Sequence, residues 1–143
     1  VDDREDNTGR GAVDDRGEPN LSESGAISLI VRIDLGPHGR LGPGKILLLQ
    51  NIARLGSISA AARDMNMSYR QAWDLVDQLN RAFVEPVVAS QTGGKSGGGA
   101  LVTPFGHALM AHYRGIVAAA EQAAASDVAA LTAKLQAAPA DGI

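Results

Sequence analysis

Residues 56–83, G-S-I-S-A-A-A-R-D-M-N-M-S-Y-R-Q-A-W-D-L-V-D-Q-L-N-R-A-F, read as two helices joined by a very short turn. Gly56 suits the close of a preceding helix. Ser57 or Ser59 can cap the next one, which packs through small Ala60, Ala61 and Ala62. Asn66 suits the left-handed residue that ends that short helix. Ser68 then caps a longer helix with Tyr69, Arg70 and Gln71 in its first turn, its hydroxyl accepting from an otherwise unpaired backbone N–H. A tight helix pair whose second member opens with polar side chains is the arrangement that lays a helix in the DNA major groove. Double-stranded DNA is therefore the expected partner.

Working outward, Ala72, Val76, Leu79 and Phe83 recur at helical spacing and form a core stripe,. Arg70, Asp74, Asp77 and Arg81 fall opposite it, with Gln71 and Trp73 on the flanks,. Before the pair, a helix is expected from Pro43 to Leu55, burying Leu48, Leu49, Ile52 and Leu55, with proline at a tolerated first-turn position,. After it, Pro86 stops the helix. Val87 to Thr92 and Ala100 to Thr103 then read as a hairpin around the glycine-rich tip at Gly93–Gly99. Ile27 to Leu35 alternates like a strand that could complete the hairpin's sheet, and Gly36 to Gly44 is punctuation,. The pattern predicts a mainly α (α+β) winged helix-turn-helix with a small antiparallel sheet and a long C-terminal dimerisation helix.

That last helix is expected over residues 105–136, roughly 48 Å at about 1.5 Å per residue. Its stripe of Phe105, Leu109, Tyr113, Ile116, Val117 and Ala120 is longer than so small a domain can cover. Leu109, Tyr113, Ile116, Val117 and Ala120 are accordingly the expected contacts of a two-fold homodimer. The domains divide as an acidic disordered arm (1–24), a DNA-binding and dimerisation domain (25–125) and an alanine-rich extension and tail (126–143).

The net charge of −3 looks wrong for a DNA binder until it is divided by region. Residues 1–24 hold eight acids against three arginines, whereas residues 40–115 hold eight basic residues against four acids. The segment with the helix pair is basic, and the field a phosphate feels is local. With no cysteine, disulfides and thiolate metal sites are excluded,. No apolar run approaches the roughly 20 residues of a membrane helix. The N-terminus lacks a signal peptide's apolar core, so a cytoplasmic protein without membrane contact is expected.

The candidate DNA contacts are Ser57, Ser59, Ser68, Tyr69, Arg70, Gln71, Trp73 and Asp74 in the helix pair, and Thr92, Gly93, Gly94, Lys95 and Ser96 in the wing. Arg70 can offer guanine or phosphate two hydrogen bonds, and Gln71 can do the same for adenine. Ser68 and Tyr69 suit phosphates. S-x-x-Q is also a capping box, in which Gln71 folds back on Ser68. Trp73, the single tryptophan, suits the core edge or a surface against the sugar-phosphate backbone. Asp74 either accepts from cytosine or holds Arg70. G-G-K-S is not a nucleotide-binding loop, because Ala89 stands where the first glycine is required and three glycines follow Ser96,. His107 and His112 are five apart, not the four of a helical metal pair,. No metal, cofactor or catalytic group is expected.

G-S-I-S-A-A-A (56–62), M-S-Y-R-Q-A-W-D (67–74) and T-G-G-K-S-G-G-G-A-L-V-T (92–103) together resemble the N-terminal DNA-binding domain of the molybdate-responsive ModE regulators. They match it more specifically than the helix-turn-helix shared with LysR-type regulators. The resemblance covers about residues 27–125. It implies a dimer held by the N-terminal strand region and the long last helix, binding an inverted repeat, with Ser68–Gln71 reading and Thr92–Gly99 as wing. ModE proteins of the full type also carry a C-terminal molybdate-binding module. Here an alanine-rich tail follows residue 125, so oxyanion sensing is not supported by this chain, which reads as a single-domain member or a fragment. The rival expectation is a protein-interaction module that heterodimerises with, or sequesters, a full-length regulator.

Overall fold

Glycine, proline and small capping side chains set the start of each α-helix among the described residues. The computed structural model describes residues 27–91 and 99–137. The arm of residues 1–24 and the wing-tip residues Thr92, Gly93, Gly94, Lys95 and Ser96 lie outside the described residues. Helix α1 spans Pro43–Leu55, α2 Ile58–Asp64, α3 Tyr69–Ala82 and α4 Pro104–Ala133. Strand β1 is Ile33–Asp34, β2 Arg40–Leu41, β3 Val88–Gln91 and β4 Gly99–Val102. The described residues are thus mainly helical, with two small antiparallel sheets and a long last helix.

Helix α1 begins at Pro43, where the missing N–H costs nothing,. It ends at Gly56, whose φ of 78° needs no Cβ and whose N–H reaches the Ile52 carbonyl at 2.8 Å,. Ser57 caps α2, accepting from the Ala60 N–H at 2.9 Å. Ala61 and Ala62 are fully or nearly buried, and their small size lets α2 lie close to α1. Asn66 turns the chain with φ 58°, while Met65 and Met67 on either side are drawn into the core. Ala72, Leu75, Val76 and Leu79 bury the inner face of α3. Phe83 ends the helix rather than continuing it and packs its ring against Phe105 at a centroid distance of 5.4 Å.

The β3–β4 hairpin is pinned at three points. The Asn80 side chain of α3 accepts from the Val87 and Val88 N–H groups at 2.7 and 3.1 Å and donates to the Val88 carbonyl at 3.1 Å. The Ala100 N–H donates to the Gly56 carbonyl at 3.0 Å. Thr103 donates its hydroxyl to the Pro86 carbonyl at 2.7 Å while capping α4 through the Gly106 N–H at 2.9 Å. A Cβ at Gly106 would overlap the Val87 carbonyl and Val102, so only glycine lets α4 start this close.

The expected strand at 27–35 is corrected. Its alternation holds from Leu29 on, since Leu29, Val31, Ile33 and Leu35 are half-buried and Ile30, Arg32 and Asp34 are exposed, whereas Ile27 is exposed. Only Ile33–Asp34 is strand, however, and it pairs with Arg40–Leu41 instead of joining the β3–β4 sheet. Gly36 and Gly39, at φ 70° and 100°, fold the chain back through a 3₁₀ turn, and the local partner takes the hydrogen bonds first,. Tyr113 of α4 donates its hydroxyl to the Val31 carbonyl and ties this segment to the core. Among the described residues, no helix is long and apolar enough to cross a membrane.

Candidate nucleic-acid interface

Helix α3 presents its first turn to solvent because its buried stripe begins only at Ala72. Ser68 accepts from the Gln71 N–H at 3.0 Å, the first half of a capping box,. Each capping serine, Ser57 and Ser68, still has its own O–H to donate. Tyr69 is 55% exposed and the Arg70 side chain 85% exposed; Gln71 is half-buried. Arg70 Nε lies 3.8 Å from Asp74 Oδ1, a loose i, i+4 pair that biases the guanidinium without engaging it fully,. Asp77 is paired more closely, at 2.9 Å from Arg81 Nε. Both acids on the outer face of α3 therefore have a cationic neighbour, which softens the repulsion that phosphate would feel.

On one flank of this turn lies a groove of about 400 Å³ between α3 and the hairpin, walled by Tyr69, Trp73, Asn80, Val88 and Gln91. Trp73 is 44% exposed and lines this groove, so its ring is only partly committed to packing. Ser57 borders the same groove, whereas Ser59 is exposed on α2 with Arg63 Nη1 3.5 Å from its hydroxyl. Asn51, the buried polar residue of α1, accepts from Arg54 at 2.9 Å, and Arg54 also reaches Asp64 at 3.2 Å. That relay links α1 to the end of α2.

On the other flank is a cleft of about 500 Å³ that sequence reasoning did not anticipate. Arg32 and Arg40 from the β1–β2 hairpin, Lys45 from α1, and Ser68 and Arg70 from the start of α3 all line it. Lys45 Nζ is anchored on the Arg40 carbonyl at 2.6 Å. Arg32, Arg40 and Lys45 are separated by a glycine-rich stretch and Arg70 lies 25 positions beyond Lys45, so no periodicity links them; the hint was the common sign of the first three around Gly36–Gly44.

The residues expected at a dimer interface divide in two. Leu109 and Tyr113 are 7% and 5% exposed, enclosed by the chain's own core together with Met110. Ile116 is 45% exposed, while Val117 and Ala120 are half-buried. Val117 borders a shallow apolar depression with Pro43, Ile46, Leu47 and Ala118. Beyond it the apolar side chains of α4 face outward, Leu131 being 66% exposed.

No protein-family model matches the chain. It is 49% identical over 79 residues to the molybdenum-pterin-binding protein MopB of Rhodobacter capsulatus, covering 55% of this chain and 29% of that protein. With MopA of the same organism, also named a molybdenum-pterin-binding protein, identity is 45% over 87 residues, 59% of this chain and 33% of the relative. With the DNA-binding transcriptional dual regulator ModE of Escherichia coli K12, identity is 44% over 71 residues, 50% of this chain and 27% of ModE. The chain therefore spans about a third or less of these curated relatives, and is homologous to the ModE, MopA and MopB proteins over half or more of its own length.

Proposed function

We propose that this chain is a sequence-specific regulator of transcription that binds an inverted-repeat operator on duplex DNA as a homodimer. The observation that carries the reading is the exposed first turn of α3, with the hairpin on one flank and the basic cleft on the other. The similarity to a relative named as a DNA-binding transcriptional regulator supports it. In this reading Arg70 and Gln71 meet base edges, Ser57, Ser59, Ser68 and Tyr69 meet phosphates, and Trp73 lies against the sugar-phosphate backbone. Asp74 orients Arg70, and the wing from Thr92 to Ser96 lies near the minor groove with Lys95 on phosphate.

The exposed part of α4, through Ile116, Val117 and Ala120, would join two copies and set their α3 helices about 34 Å apart, one turn of DNA. Occupancy of a promoter would repress it; one relative is named a dual regulator, so activation is the other outcome to score. Two relatives are named for molybdenum-pterin binding, which makes a molybdenum oxyanion a ligand to include in the assay. The apolar depression beside Val117 also suits the second reading, pairing with a related full-length regulator.

The test is selection from a randomised duplex library by the purified chain at two salt concentrations, with and without molybdate. Enrichment of an inverted repeat supports the proposal, and binding without any enriched sequence overturns it. On the recovered operator, Arg70→Ala should cost about 1–3 kcal/mol and relax preference at one position. Equal losses on every sequence would remove Arg70 from base reading.

A further inference from the structure

Of the cations around the basic cleft beside α3, the DNA-binding reading above gives a role only to Arg70. Four cationic side chains, Arg32, Arg40, Lys45 and Arg70, converge on it from the β1–β2 hairpin, α1 and α3, with Asp74 as its carboxylate. Arg32 and Arg40 are exposed, and among the described residues neither is held in an ion pair. Concentrating like charge in this way raises the electrostatic energy of the free protein, and an anion of matching size relieves it.

The backbone that shapes the cleft is specified residue by residue. Gly36 and Gly39 take positive φ, the Leu35 N–H reaches the Gly39 carbonyl at 2.8 Å, and Asp34 accepts from the Gly36 N–H at 2.9 Å. This closed turn places Arg40 beside Lys45, whose ammonium is held on the Arg40 carbonyl. Ser68 at the cleft's edge adds an O–H donor,. Donors of this kind, contributed by three elements around one opening, suit a tetrahedral oxyanion bearing a single charge.

We infer that this cleft clamps a phosphodiester of the DNA backbone on the flank of α3 opposite the β3–β4 hairpin, with Arg32 and Arg40 as its principal contacts. The inference rests on the DNA-binding reading and extends it. The turn at residues 36–39 becomes a second structural arm that grips the duplex, so α3 is braced on both sides. Such a contact positions the protein without reading sequence. It adds to affinity on any duplex and to its salt dependence.

The experiment compares wild type, Arg32→Gln, Arg40→Gln, Arg40→Lys and Arg70→Ala, using the full chain, on the selected operator and a scrambled duplex across a salt series. Lys134→Gln, at the far end of α4, is the control for loss of one exposed charge. Arg32→Gln and Arg40→Gln should each weaken both duplexes by about tenfold and lower the slope of log K against log salt by about 0.9 per protomer, about 1.8 for a dimer. Arg40→Lys should keep most of the slope. Circular dichroism confirms folding of each variant, and because Arg32 precedes β1 while Arg40 opens β2, either one alone serves if the other misfolds.

Retained slope and affinity in both glutamine variants, while Arg70→Ala still loses operator preference, would overturn the clamp and leave the DNA reading standing. Wild-type protein that binds no duplex would overturn both. A free anion is the other source of the same chemistry. If inorganic phosphate at matched ionic strength raises the melting temperature of wild type but not of Arg40→Gln, and the salt slopes agree, the cleft is an anion site and not a DNA clamp.

Discussion

Asn80 is the residue on which the geometry of the hairpin against α3 depends, and truncating it gives the sharpest test of the structure. Its amide makes three hydrogen bonds to the backbone at Val87 and Val88, standing in for a missing strand partner. Val87 is 0% and Val88 5% exposed, so water has poor access to the N–H groups that Asn80→Ala would strand. An unsatisfied buried donor costs about 1–3 kcal/mol, and a typical net hydrogen bond contributes about 0.5–1.5 kcal/mol. A loss of about 2–4 kcal/mol is expected, with a fall in melting temperature on the order of 10–20 °C. Asn80→Asp keeps the oxygen that accepts from both N–H groups but sets a carboxylate oxygen against the Val88 carbonyl where the amide donated, so it too should destabilise. Urea unfolding at fixed protein concentration measures both, since any association would make the midpoint concentration-dependent. Asn80→Ala or Asn80→Asp within about 0.5 kcal/mol of wild type would refute the reasoning.

Two further outcomes follow from the same packing. Gly106→Ala drives a methyl group into the Val87 carbonyl and Val102, and should destabilise by about 1–3 kcal/mol in thermal melts, whereas Gly115→Ala, with open space around it, should be neutral or stabilising,. Val117→Asp, at the rim of the apolar depression on α4, should shift sedimentation from dimer to monomer with little change in helical content; an unchanged sedimentation coefficient would remove this face from the assembly.

Local chemistry wrote most of the helical boundaries into the chain. Pro43 and Gly56 bracket α1, Ser57 caps α2, Asn66 turns it, Ser68 caps α3 and Thr103 caps α4, and each acts within a few residues of its own position. The α3 stripe was legible for the same reason, because helical periodicity places Ala72, Val76 and Leu79 on one face before any partner is known. Its polar first turn followed by elimination, and with it the side of the helix on which contacts with a ligand were to be sought.

Tertiary structure decided what lies against each face. Arg40–Leu41 is too short to show any alternation, so its claim on the Ile33–Asp34 edge is invisible until the glycines fold the chain back. Periodicity revealed an apolar stripe on α4 but not its covering: the chain's own core takes Leu109 and Tyr113 and leaves Ile116 to solvent. The basic cleft was hidden for a related reason. Arg32, Arg40, Lys45 and Arg70 share neither a period nor an element, and their charges add only because packing of the β1–β2 hairpin, α1 and α3 brings them to one opening. Capping and periodicity are short-range along the chain, whereas electrostatic convergence depends on distances that exist only after folding.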